Sequence, residues 1–247
     1  MIAAIARREF KSLFASPLAW VVLAVLQLIL AWVFLGRLDA FLKLQAQLAQ
    51  MADAPGVTEV IAAPLFGTTA VVFLMAVPIL TMRLLAEERR NRTLTLLLSA
   101  PVSMTQIVLG KYLGIMAFLL CALALVALMP LTLLAGGTLD YGLLAANLLG
   151  LLLLTGSFAA LGLFMSSLTA HPALAAVGGF GAALSLWLLD MAAPEADGSL
   201  AALSALRHYE SFGKGLVDSF DAAYFLLFTA VFLALTVERL DAERLGG

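Results

Sequence analysis

The chain has 247 residues, of which 63% are hydrophobic and 12% charged, with a net charge of −2 and a mean hydropathy of +1.06. Soluble domains carry roughly a quarter charged residues. No soluble fold of this length hides so much apolar surface, so an integral membrane protein is expected. The near-neutral charge argues against nucleic acid as a partner, and the single cysteine, Cys121, excludes an intramolecular disulfide.

Residues 2–14 read as an amphipathic helix lying in the interface. Ile2, Ile5, Phe10, Leu13 and Phe14 share one face, and Arg7, Arg8 and Lys11 the other. Glu9 points from the apolar side, which suggests either a local pair or a bond to a charge on another segment, such as Arg83 or the arginines near it. Ser16-Pro17 supplies a helix cap and a first-turn proline, hence an elbow. Residues 18–35 form the first span, with Trp20 and Trp32 near its ends. This run is too long for a signal core and no small-x-small cleavage site follows it, so it is read as uncleaved. The second span is 60–85, where Pro64 and Pro78 would bend the helix or free carbonyls.

The only dense block of charge follows, at 87–99. Between two spans it must sit in water. Arg83, Arg89, Arg90 and Arg92 favour the cytoplasmic side. Leu94, Leu97 and Leu98 make an apolar stripe on a short helix, braced by Glu88 with Arg92 and Glu87 with Arg90. A soluble partner could grip such a helix.

Ser103-Met104-Thr105-Gln106 reads as a capping box opening the third span, 106–134. Lys111 lies near its cytoplasmic end, and Gly110 with Gly114 suits a close helix contact. Spans at 141–168 and 173–189 follow, then a polar outer segment at 190–221 with short helices resting on the surface, and a last span at 222–237. An even number of spans puts both termini on one side. Arg7, Arg8, Lys11, Arg83, Arg89, Arg90, Arg92, Lys111, Arg239 and Arg244 collect there, against Arg37, Lys43, Arg207 and Lys214 opposite, so both termini are expected in the cytoplasm.

The chain lacks a phosphate-binding loop and a His-Glu-x-x-His helix. His171 and His208 read as ordinary loop residues on opposite sides, and Asp140 and Asp190 sit at outer span ends rather than as a paired dyad. Hydroxyls within the spans read as helix contacts. A membrane protein of this kind, without catalytic apparatus and with one helix to grip, is expected to take its energy from another protein.

The sequence Glu87-Glu88-Arg89-Arg90-Asn91-Arg92-Thr93-Leu94-Thr95-Leu96-Leu97-Leu98-Ser99-Ala100-Pro101 resembles the coupling segment of ABC-2 transporter membrane subunits. Arg8-Glu9-Phe10 with Ser16-Pro17 is similar to that family's opening, and Ser166-Ser167-Leu168-Thr169 to the inner end of its span four. His208 to Asp218 with Tyr224-Phe225 looks like the outer segment of the gliding-motility (GldF-like) branch, which resembles the NosY-like permeases. Thr95, where the family often has an acid, and His171-Pro172, in place of Asn-Gln, depart from the pattern.

The resemblance implies an all-α fold with six spans, an interfacial helix and a coupling helix, arranged as in type V exporters, the whole chain being one transmembrane domain. It implies a non-enzymatic permease that dimerises in a bacterial inner membrane and binds two copies of a cytoplasmic ABC ATPase. ATP and Mg2+ would belong to that partner, and this chain would hold no cofactor or metal. The resemblance assigns ATPase coupling to Glu87, Glu88, Arg89, Arg90, Arg92, Thr93, Leu94 and Leu97, and an opening-helix role to Arg8, Glu9 and Phe10. A path at the dimer interface would be lined by Thr68, Thr69, Phe73, Gly178, Gly181 and Ser185. The alternative is a scaffold whose ATPase does mechanical work on extracytoplasmic accessory proteins, as in gliding or assembly machinery.

Overall fold

In a bilayer the backbone polar groups have no water to bond, so a chain this apolar satisfies them internally as helices. The computed structural model describes residues 1–48, 56–93, 102–135, 138–192 and 201–246. Among the described residues the fold is all-helical, with six helices long and apolar enough to cross a membrane. The elements in order are α1 (Ile2–Ala15), α2 (Pro17–Leu48), α3 (Ala63–Thr81), α4 (Ala86–Arg90), α5 (Met104–Leu131), α6 (Tyr141–Leu168), α7 (Pro172–Ala192), α8 (Ala205–Gly213) and α9 (Ser219–Gly246). A π-helical turn, Thr58–Ala62, leads into α3.

Several elements run past their expected limits. The helix begun at Pro17 continues to Leu48 rather than stopping at 35, and the last span begins at Ser219 and reaches Gly246 rather than covering 222–237. The second span is interrupted: α3 ends at Thr81, three residues after Pro78, and a turn separates it from α4. Proline cannot donate to the ladder, and a helix loosens near it.

The bundle is built around α6. Of its most apolar stretch 67% is buried, against 17% for α7 and for α9. It touches α3, α5, α7, α8 and α9. Small residues let these neighbours approach. A Cβ at Gly150 would lie 2.5 Å from the Cβ of Phe212, and one at Gly162 would collide with the Thr81 hydroxyl.

The N-terminal helix does more than lie in an interface. α1 runs along α5 over Gly110 and Gly114, where an added Cβ would come within 2.6 Å of the Cβ atoms of Ile5 and Glu9 respectively. The small pair expected to allow a close contact is therefore the seat of α1. Phe14 extends the contact, its ring 5.0 Å from that of Phe118. Ser16 is extended and Pro17 opens α2, which forms the elbow.

The outer segment differs from expectation. Instead of resting on the surface, α8 is tucked between α6, α7 and α9, with Phe212 fully buried and Tyr209 only 4% exposed. Burial pushes the Tyr209 phenol above its ordinary pKa, so it stays protonated and donates to the carbonyl of Phe66 at 3.1 Å.

His208 is likewise not a loop residue. It is buried in α8, stacked on Tyr224 with centroids 4.1 Å apart. Its Nε2 lies 3.0 Å from the Ala202 carbonyl, which can only accept, so Nε2 carries a proton. Its Nδ1 lies 2.6 Å from Asp221 Oδ1, and that bond needs a second proton between the two groups. This pair ties α8 to the start of α9. Asp221→Ala is expected to destabilise the protein by about 3 kcal/mol, the scale of breaking a buried pair. Asp221→Asn should recover much of that, because its amide can donate to Nδ1. Thermal unfolding in detergent reads both, and an Asp221→Ala protein melting with the parent would refute the assignment.

Candidate functional site

The described part of the charged block, as far as Thr93, is held at the end of the bundle where α1, the end of α3, the start of α5 and the ends of α6 and α9 converge. Its helical part, α4, starts with a capping arrangement supplied from another element. The Ser166 hydroxyl of α6 accepts from the backbone N–H groups of Leu85 and Ala86, both at 3.0 Å, and donates to the carbonyl of Met82 at 2.9 Å. One side chain thus satisfies three backbone groups at the break between α3 and α4, which helix ends otherwise leave open.

Two opposed ion pairs then fix α4. On one side, Glu88 Oε1 lies 2.8 Å from Lys111 Nζ, and the same ammonium lies 2.9 Å from Glu9 Oε1 of α1. Lys111 is 2% exposed, so its charge is held almost entirely by these two carboxylates. On the other side, Arg89 Nη2 reaches Glu243 at 2.7 Å and the Ser167 carbonyl at 2.6 Å. Arg239 also meets Glu243, at 3.4 Å. A five-residue helix is thereby tied by charge to α5, through Lys111 to α1, and to α9, and by a hydrogen bond to α6.

The structure corrects parts of the expected helix. It ends at Arg90, and Arg92 adopts φ 57°, a left-handed conformation that stops the turn, so a helix over 87–99 does not run through Arg92. The i,i+4 brace between Glu88 and Arg92 loses its helical geometry, and Glu88 turns to Lys111. Thr93 closes the turn, its N–H and hydroxyl bonding the Glu88 carbonyl at 2.9 and 3.2 Å. Leu94 and Leu97 lie outside the described residues. Glu9 does bond another segment, but its partner is Lys111, not Arg83, which instead reaches Ser16 Oγ at 3.4 Å. Phe10 stacks near Phe14 at 4.9 Å, and Arg8 is exposed.

Glu87 and Arg90 are exposed on α4 between two hollows. One, of about 760 Å3, lies against α1 and includes Arg8, Arg83 and Glu88; the other, of about 500 Å3, includes Arg90, His171 and Pro172.

The expected path residues do not share one surface. Thr69 and Phe73 face the interior of the protomer, 0% and 1% exposed. The Thr69 hydroxyl bonds its own helix, at Leu65 O. Thr68 and Gly178 are half-buried, while Gly181 and Ser185 are exposed on α7. Of the residues that carry the site, Lys111 was used only for orientation, Ser166 only in the resemblance, and Glu243 was given no role. A lysine seven residues inside an apolar helix was a signal, as was Glu9 on the apolar side of α1.

No curated protein matches the sequence. The family model described as "ABC-2 family transporter protein" matches residues 3–197, spanning α1 through α7 and the Glu9–Lys111–Glu88 side of the clamp on α4; Glu243 lies beyond it. The chain is therefore a membrane component of the ABC-2 transporter family, with six helices among its described residues long and apolar enough to cross a membrane, and of a kind that works with a separate ABC ATPase.

Proposed function

We propose that the chain is the permease subunit of an ABC transporter of the bacterial inner membrane, with both termini cytoplasmic and α4 as the place where the ATPase pushes. The observation that carries this reading is the double clamp on α4. A segment bonded through Glu88 to Lys111 of α5, which also holds Glu9 of α1, and through Arg89 to α6 and α9, would carry those helices with it when displaced. Two copies of the ATPase, acting on two permease copies, would transmit their closure through it. Glu87, Arg90 and the smaller hollow they share with His171 and Pro172 offer the surface for that contact. The ATP and Mg2+ would belong to the partner. The GldF-like or NosY-like branch is favoured by the run from His208 to Asp218.

A mechanical scaffold is the less supported reading. It drew on the large outer segment from Pro194 to Asp221, of which α8 is folded back into the bundle.

The exposed residues give the cleanest test. The double reversal Glu87→Lys with Arg90→Glu spares the buried clamp, so the protein should fold and insert as before. Purified gently from its native host, the parent is expected to bring a stoichiometric ABC ATPase, and the reversed protein to lose at least about tenfold of it, the scale of 1.4 kcal/mol. Undiminished ATPase on the reversed protein would defeat the proposed role of α4.

A further inference from the structure

The larger hollow beside α4 combines three chemistries. Arg8 and Arg83 stand in its lining as exposed guanidiniums. Glu87 and Glu88 line it as carboxylates, and Leu18, Leu80 and Leu84 contribute apolar walls from the ends of the first two spans. Its volume of about 760 Å3 suits a small organic ligand.

Its depth in the membrane follows from its lining. Ser16 and Leu18 border it at the start of α2, and Trp20 one turn further on is 57% exposed, its indole N–H donating to Phe14 O at 2.8 Å. An exposed tryptophan at a span end marks headgroup level. The hollow therefore opens where lipid phosphates lie.

Its lining carries three basic side chains, Arg8, Arg83 and Lys111, and three acidic ones, Glu9, Glu87 and Glu88, a balance that suits a zwitterion. Two carboxylates, Glu9 and Glu88, share the single ammonium of Lys111, each through one oxygen. Glu88 Oε2 is shielded from solvent and has no hydrogen-bond donor among the described residues. A carboxylate oxygen in that state calls for an N–H donor, preferably cationic. The two arginines call for an anion. A molecule with a primary ammonium, a phosphate a short link away and apolar chains meets all three demands.

We propose that this hollow binds the headgroup of a phosphoethanolamine lipid, with phosphate at Arg8 and Arg83, ammonium at Glu88 and Glu87, and acyl chains leaving over the leucines. The lipid would complete the charge cluster that joins α1, α4 and α5. The inference stands on the hollow itself and does not depend on the ATPase reading.

Native mass spectrometry of the full-length protein tests it, using lipids of matched chains with phosphoethanolamine, its mono-, di- and trimethylated forms, and phosphoglycerol. Retention is expected to fall about tenfold at the trimethyl form, which has lost its last N–H, the scale of one charge-assisted hydrogen bond. Phosphoglycerol, lacking the cation, should be held no better. Glu88→Gln should narrow the preference over the trimethyl form, and Arg83→Ala, which leaves the buried cluster intact, should weaken every phospholipid. Equal retention of all the lipids, or undiminished binding by Arg83→Ala, would overturn the proposal. Tighter binding of phosphoglycerol would overturn it too, and would mark the arginines alone as an anion site.

Discussion

Replacing Lys111 by Met is expected to destabilise the purified protein by about 3–5 kcal/mol, the range for removing one partner of a buried ion pair. The substitution keeps an unbranched apolar stem of similar length. What it removes is the ammonium that lies 2.8 and 2.9 Å from two carboxylates, which would then face each other with no cation between them. Glu9 and Glu88 are only 14% and 20% exposed, so solvent relieves little of that repulsion. The triple change Lys111→Met, Glu9→Gln, Glu88→Gln removes all three charges and should return most of the lost stability, since an uncharged trio of similar volume is often tolerated. Thermal unfolding in a single detergent compares the three proteins. If Lys111→Met melts with the parent, or the triple variant is no better than the single one, the ammonium is not holding these elements together.

Ser166→Ala should cost about 3 kcal/mol, a large effect for the loss of one hydroxyl. It strands two backbone N–H groups, of Leu85 and Ala86, and one carbonyl, of Met82. A buried polar group left unpaired costs about 1–3 kcal/mol. The cost does not reach the full sum because the turn after α3 can relax. The distinguishing feature is its location: amide exchange should rise at residues 82–90 and leave the middle of α6 unchanged. A uniform rise over the whole bundle, or none, would contradict the capping role of Ser166.

The spans were legible because the bilayer dictates them: apolar runs this long have few alternatives. The elbow at Ser16-Pro17 and the cap at Ser103 are local chemistry and could be read locally. Ser103 Oγ accepts from Gln106 N–H at 3.2 Å, as the capping motif predicts. The Gly110 and Gly114 pair announced a close contact but not its partner, because spacing on one helix says nothing of which helix will arrive. The same gap hid the site. Glu9 and Lys111 are 102 residues apart, and Arg89 and Glu243 are 154 apart. Only the assembled bundle brings them together. In the charged block, the helical arithmetic failed where Arg92 turned left-handed. For α8, amphipathic spacing showed two environments without showing which lay on the apolar side. A cleft over Gly150, not the membrane surface, receives Phe212.

The seat of α1 on α5 also sets an order of events during synthesis. The helix carrying Glu9 leaves the ribosome about 100 residues before Lys111 exists to meet it. At the usual rate of about 5–20 residues per second, the wait is on the order of 5–20 s. Through that interval α1 has no protein surface to cover its apolar face, and its basic face suits it to rest on lipid until the third span is inserted. The amphipathic pattern of residues 2–14 is thus fitted to a waiting state as well as to the finished fold.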